Sequence, residues 1–64
     1  MADRERFERI YRDHFEHILR YFLRRVDRDD AADATSEFFS VCWRRLHDIP
    51  EEAELPWLYG VAGR

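Results

Sequence analysis

FERIYRDHFEHILRYFLRRV, residues 7–26, decides the fold. Within it Phe7, Ile10, Tyr11, Phe15, Ile18, Leu19, Phe22 and Val26 recur at steps of three, one and four. That spacing winds all eight side chains onto one stripe of an α-helix. Arg6, Arg9, Arg12, Asp13, Glu16 and Arg20 fall mainly off the stripe. Asp3 can serve as an N-cap, with Glu5 in the first turn where the helix dipole favours an anion. The expectation is a first helix over about residues 4–26. A helix with one greasy stripe needs a partner, and the rest of the chain must supply it.

Working outward, Asp27-Arg28-Asp29-Asp30 breaks the period and offers capping carboxylates. Asp30 followed by Asp33 has the form of a capping box with Asp in place of Glu. A second helix is expected over about 31–46, with Ala31, Ala34, Thr35, Phe38, Phe39, Cys42 and Leu46 inward. So short a connection makes the two helices antiparallel. It should bring Arg24 and Arg25 near Asp29, Asp30 and Asp33, and Arg44 and Arg45 near Asp3, Glu5 and Glu8. Exposed pairs of this kind are worth about 0–1 kcal/mol each, so they choose orientation more than they stabilise. Residues 47–54, with Pro50 and the acids Asp48, Glu51, Glu52 and Glu54, read as a loop. A third helix is expected from about Pro56, whose fixed φ suits a first helical position. Leu55, Leu58, Tyr59 and Ala62 keep helical spacing, and the sequence runs only about two turns further. The fold class is all-α: a small bundle of an antiparallel hairpin and a short third helix.

Sixty-four residues hold one small domain, with 45% hydrophobic and 39% charged residues. The mixture is too apolar for a disordered tail. No run of about 20 apolar residues offers a membrane span, and the N-terminus lacks the apolar core of a secretion signal. The single cysteine, Cys42, excludes an internal disulfide. Net charge is −3, unevenly placed. Residues 1–26 carry seven arginines against five acids, and residues 27–64 carry four against nine. A chain this acidic binds nucleic acid poorly without help, because phosphate contacts supply most non-specific affinity.

Catalytic signatures are thin. His14 and His17 stand at i and i+3, a spacing open to a two-ligand metal site, yet no second Cys/His cluster accompanies them. Solvated, partly packed histidines are the plainer reading, and neither metal nor cofactor is implied. Cys42 sits on the inner face among Phe38, Phe39 and Leu46, where a thiol acts as a small hydrophobe. No Ser/His/Asp order, Gly-rich phosphate loop or Walker pattern occurs. The chain does not read as an enzyme. Trp43, Trp57 and Tyr59 could stack on unpaired bases or close the small core.

The stretch from Asp30 to Arg44, DAADATSEFFSVCWR, resembles region 2.2 of the extracytoplasmic-function group of bacterial sigma factors. In that family an acid and alanine run leads through apolar residues and Gln-Glu to Phe and then Ala-Trp-Arg. Upstream, FERIYRDHF (7–15) with Leu19-Arg20-Tyr21 is similar to region 2.1. Downstream, LPWLYGVA (55–62) resembles the start of the helix that reads the −10 promoter element. The three stretches stand in the family's order and cover nearly the whole chain.

The resemblance implies a sigma region 2 domain acting in transcription initiation, in the bacterial cytoplasm. Its partners would be the clamp helices of the largest subunit of core RNA polymerase, promoter DNA at −10 only within that complex, and an anti-sigma factor. By position, Asp33, Ser36, Glu37 and Arg44 would bind polymerase, with Ser36 where the family favours Gln. His47, Asp48, Trp57, Gly60 and Arg64 would meet DNA. The acids of the 47–54 loop would repel phosphates. These 64 residues hold no counterpart of region 4, so alone they should not read a full promoter. The alternative is a helical interaction module or truncated decoy that binds polymerase or itself without recognising a promoter.

Overall fold

The computed structural model describes residues 2–63. Three helices carry them: α1 (Ala2–Leu23), α2 (Arg28–Arg44) and α3 (Glu54–Ala62), with a 3-10 turn at Leu46–Asp48 between the last two. Among the described residues there is no strand. The all-α reading holds.

The stripe on α1 does what its period requires. Ile10 and Ile18 are fully buried, while Phe7, Phe15 and Phe22 pack partly on the core. Facing them, α2 supplies Ala31, Thr35, Phe38, Phe39 and Cys42. Thr35 is tolerated there because its hydroxyl donates to the Ala31 carbonyl at 2.8 Å, so that buried hydroxyl is not left unmet. Phe7 meets Trp43 edge-on at 5.3 Å, and Phe22 meets Phe38 at 6.3 Å. The early part of α1 thus lies beside the late part of α2, the antiparallel pairing expected from the short turn.

The ends differ from the sequence reading. α1 stops at Leu23, three residues early, because Leu23 and Val26 find no partner and remain 42% and 44% exposed. α1 is already helical at Ala2, so Asp3 lies within the first turn and does not cap it. α2 starts at Arg28, with Asp27 and not Asp30 at the boundary. The Asp27 side chain makes no capping bond, but its carbonyl takes the Ala31 N–H at 2.7 Å. Asp29 and Asp30 then occupy the first turn, where acids suit the dipole. At the other end α2 closes at Arg44, two residues before the expected boundary. Likewise α3 begins at Glu54, which puts Pro56 third in the helix. That position is equally harmless, since none of the first four N–H groups has a helical acceptor.

The expected loop is shorter and better held than its composition implied. Leu46 and Ile49 turn inward, 4% and 3% exposed, and Leu58 of α3 closes the core above them. A nine-residue helix does not stand alone in water. Leu55, Trp57, Val61 and Ala62 settle it against the first two.

Polar bonds fix the same segment. Arg6 of α1 donates to the carbonyls of Leu46 at 3.1 Å and Ile49 at 2.6 Å. Arg9 reaches both oxygens of Glu54, at 3.1 and 2.7 Å. A third Arg6 contact meets Glu54 Oε2 at 3.4 Å, and His14 Nε2 lies 3.5 Å from Oε1. Glu54 is therefore a buried carboxylate at the head of α3, not an exposed loop acid that repels phosphates. Tyr59 of α3 rests beside Tyr21 at 5.7 Å, so α3 runs in the same sense as α1.

The ion pairs expected across the hairpin do not form among the described residues. Arg45 turns back to Asp48 at 3.2 Å, and Asp3 meets the His47 ring at 2.9 Å. Arg25 instead lies over the Tyr21 ring at 3.8 Å and donates to the Tyr21 carbonyl. For Arg45 and Arg25, partners one turn away cost less side-chain order than distant ones.

Candidate functional site

Asp33, Ser36, Glu37, Ser40 and Arg44 follow one another along α2 at helical intervals. At 3.6 residues per turn they fall within about 100° of arc, opposite the buried face. All five are exposed. The ordering follows from the core: Phe38, Phe39 and Cys42 commit one side of the helix to the interior, and the polar positions have only the other. Ser40 donates to the Ser36 carbonyl at 3.3 Å and so turns back on the helix. Among the described residues Asp33, Glu37 and Arg44 enter no ion pair. Their charges are left for solvent or a partner.

Two grooves flank this ridge. On the α1 side Phe7, Tyr11, Phe39 and Trp43 line an aromatic groove of about 550 Å³, rimmed by Ser36, Ser40 and Arg44. Tyr11 and Trp43 are 43% and 48% exposed there. Toward α3, Phe22, Ala34, Phe38, Val41, Val61 and Ala62 line a smaller groove of about 280 Å³, with Glu37 on its edge. The four sequence-nominated residues thus share a face but not a cleft: Ser36 and Arg44 border one groove and Glu37 the other. A ridge between two grooves is the shape into which helical side-chain rows interdigitate.

The residues nominated for DNA are more scattered. His47 and Asp48 lie on the exposed 3-10 turn, engaged with Asp3 and Arg45 respectively. With Trp43, Arg44, Arg45 and Leu46 they edge a cleft of about 150 Å³. Trp57 is half-buried against the core, and the Arg45 guanidinium stands 5.2 Å from its ring centre. Arg45 therefore joins Asp48 to Trp57, a link that sequence spacing did not indicate. Gly60 is exposed on α3, with no atom within 4 Å of where a Cβ would stand. Arg64 lies outside the described residues.

The titratable groups divide by surroundings. Hydrogen bonding from Arg9 holds the Glu54 carboxyl below its ordinary range, against the opposing effect of burial, with smaller help from His14 and Arg6. The same contact raises the Arg9 guanidinium further. Burial pushes the Cys42 thiol up to about 12, which leaves it protonated and unreactive at neutral pH. His14 turns to Glu54, and its ring centre is 6.2 Å from that of His17. Among the described residues no three His, Cys, Asp or Glu side chains are placed to hold a metal. No helix among them is long and apolar enough to cross a membrane.

Sequence reasoning missed Glu54 and its basic partners. The available signal was Arg6 and Arg9 at i and i+3 on the border of the apolar stripe, an edge that a neighbouring element must cover. No family model, curated protein or solved structure matches the chain.

Proposed function

We propose that the outer face of α2 docks on the clamp helices of the largest subunit of RNA polymerase, as region 2 of a sigma factor does. With polymerase in place, the chain contacts the −10 element of a promoter. One observation carries the reading: Asp33, Ser36, Glu37 and Arg44 present a single exposed face, and among the described residues the charges on it enter no ion pair. Free acids on a convex helix, between two apolar grooves, suit a basic helical hairpin, with charge fixing register and the grooves taking its apolar side chains. The −10 contact falls to the end of the bundle holding His47, Asp48 and Trp57. His47 and Asp48 have internal partners, and net charge is −3, so polymerase supplies most of the affinity for DNA.

The test is titration of a clamp-helix fragment against the wild-type chain, D33K and E37K, with circular dichroism of each variant. Both side chains are exposed, so helicity should be retained. Each reversal should weaken binding by more than about tenfold, as like charges meet across the interface. Wild-type affinity in both reversed proteins would reject the reading.

A second reading rests on the exposed Tyr11 and Trp43: the chain is a helical module that self-associates through its aromatic groove. Sedimentation separates the two. A dimer abolished by Y11A and W43A supports self-association, and a monomer at all concentrations rejects it.

A further inference from the structure

Where the ends of α1 and α3 meet, His17, Arg20, Tyr21, Arg24 and Tyr59 surround a cleft of about 200 Å³. It lies at the opposite end of the bundle from His47 and Asp48, and the polymerase reading makes no use of it. Its composition is unusual for so acidic a chain: two guanidinium groups and an imidazole beside two phenol rings. The rings stand 5.7 Å apart at 46° to one another, open enough for a flat group to lie against one of them. Arg25 covers one side of Tyr21 at 3.8 Å and reinforces the positive field. Among the described residues Arg24 and His17 have no ion-pair partner. Arg20 meets only Glu16, at 3.6 Å, with both side chains largely in water, and that weak pair is readily exchanged. Glu16 borders the cleft through that pair, and no acid of α3 faces it, because Glu54 is already held by Arg6 and Arg9.

We infer that this cleft binds a nucleotide, with Arg20, Arg24 and His17 around the phosphate and Tyr59 or Tyr21 against the base. Guanidinium groups match phosphate in planar, forked geometry. Aromatic rings accept any base, because every base has a π-face. The phosphate can belong to a free mononucleotide or to a single strand, and the chemistry is shared. The inference does not depend on docking at α2. Wild-type clamp-helix affinity in both reversed proteins would leave the cleft standing, so the two ideas fail separately.

The experiment uses the full 64-residue chain. A fluorescein-labelled ten-residue oligothymidylate is titrated by anisotropy at low salt, then competed with thymidine monophosphate and with inorganic phosphate. R24Q and R20E should each weaken binding several-fold, and Y59A by roughly tenfold, the usual effect of losing one base stack. The slope of log affinity against log salt should fall by about 0.7 for each arginine removed. R4Q, which removes an exposed arginine at the other end, should bind as wild type. Competition by the monophosphate at similar concentration identifies a mononucleotide site, and its failure beside strong oligomer binding identifies a strand site. Either supports the inference. Unaltered binding in R20E and R24Q, or displacement by inorganic phosphate with Y59A unaffected, would overturn it. Circular dichroism guards against misfolding, and R24Q is the conservative control, since Arg24 is exposed.

Discussion

Replacing Glu54 by Gln tests whether one buried carboxylate holds the third helix in place. Gln keeps the shape and swaps an accepting oxygen for an N–H₂ group, which then faces the Arg6 and Arg9 donors. The Glu54 side chain is 8% exposed, Arg6 19% and Arg9 42%. Removing one member of a fully buried pair costs about 3–5 kcal/mol. Arg9 can recover water on its exposed side, so the figure is discounted to about 2 kcal/mol. For a chain this small that corresponds to a fall in Tm of about 8–16 °C. Urea and thermal unfolding by circular dichroism, near neutral pH and across a salt series, measure it.

The pH dependence gives an independent check. The Glu54 carboxyl is held below its ordinary value of 4.5 in the folded chain, with Arg9 the main cause. Its contribution is therefore complete above 4.5 and disappears as pH falls through the lowered folded value. The gap between wild type and E54Q should stay constant from neutral pH to mildly acid conditions and narrow below that point. A gap under about 0.5 kcal/mol near neutral pH, no larger than an ordinary surface change, would refute the reasoning. So would a large gap that ignores pH, since the loss would then come from packing and not from charge.

Gly60 sits inside α3 with open space where a Cβ would stand, so G60A should stabilise the chain by about 0.5–1 kcal/mol in urea unfolding. Cys42, fully buried and with its thiol pushed up to about 12, should resist an aromatic disulfide reagent near pH 8 and react at once after unfolding. Prompt reaction of the native chain would mean that α2 opens readily from the core.

The two long helices and their pairing were legible because a period of 3.6 survives any detail of packing. The exposed face of α2 was legible for the same reason: once Phe38, Phe39 and Cys42 point inward, Asp33, Ser36 and Glu37 have one direction left. Helix ends were not legible, since they depend on distant partners. Val26 continues the stripe of α1 in sequence, but nothing lies opposite it, and the helix has already ended at Leu23. Leu46 was legible as an inward residue, but the way the segment from it to Ile49 is held was hidden, because its backbone carbonyls are satisfied by Arg6, 40 and 43 residues away in the chain. Glu54 looked like its neighbours Glu51 and Glu52, which do stay exposed. Only the arrival of α1 beside it makes one acid of the three structural.

The pinning of Leu46 and Ile49 by Arg6 also has an order in time. The guanidinium and the two carbonyls to which it donates stand 40 and 43 residues apart, so these bonds can close only after the hairpin has brought the two stretches together. Replacing Arg6 would consequently loosen the segment leading into α3 while sparing the seam between α1 and α2.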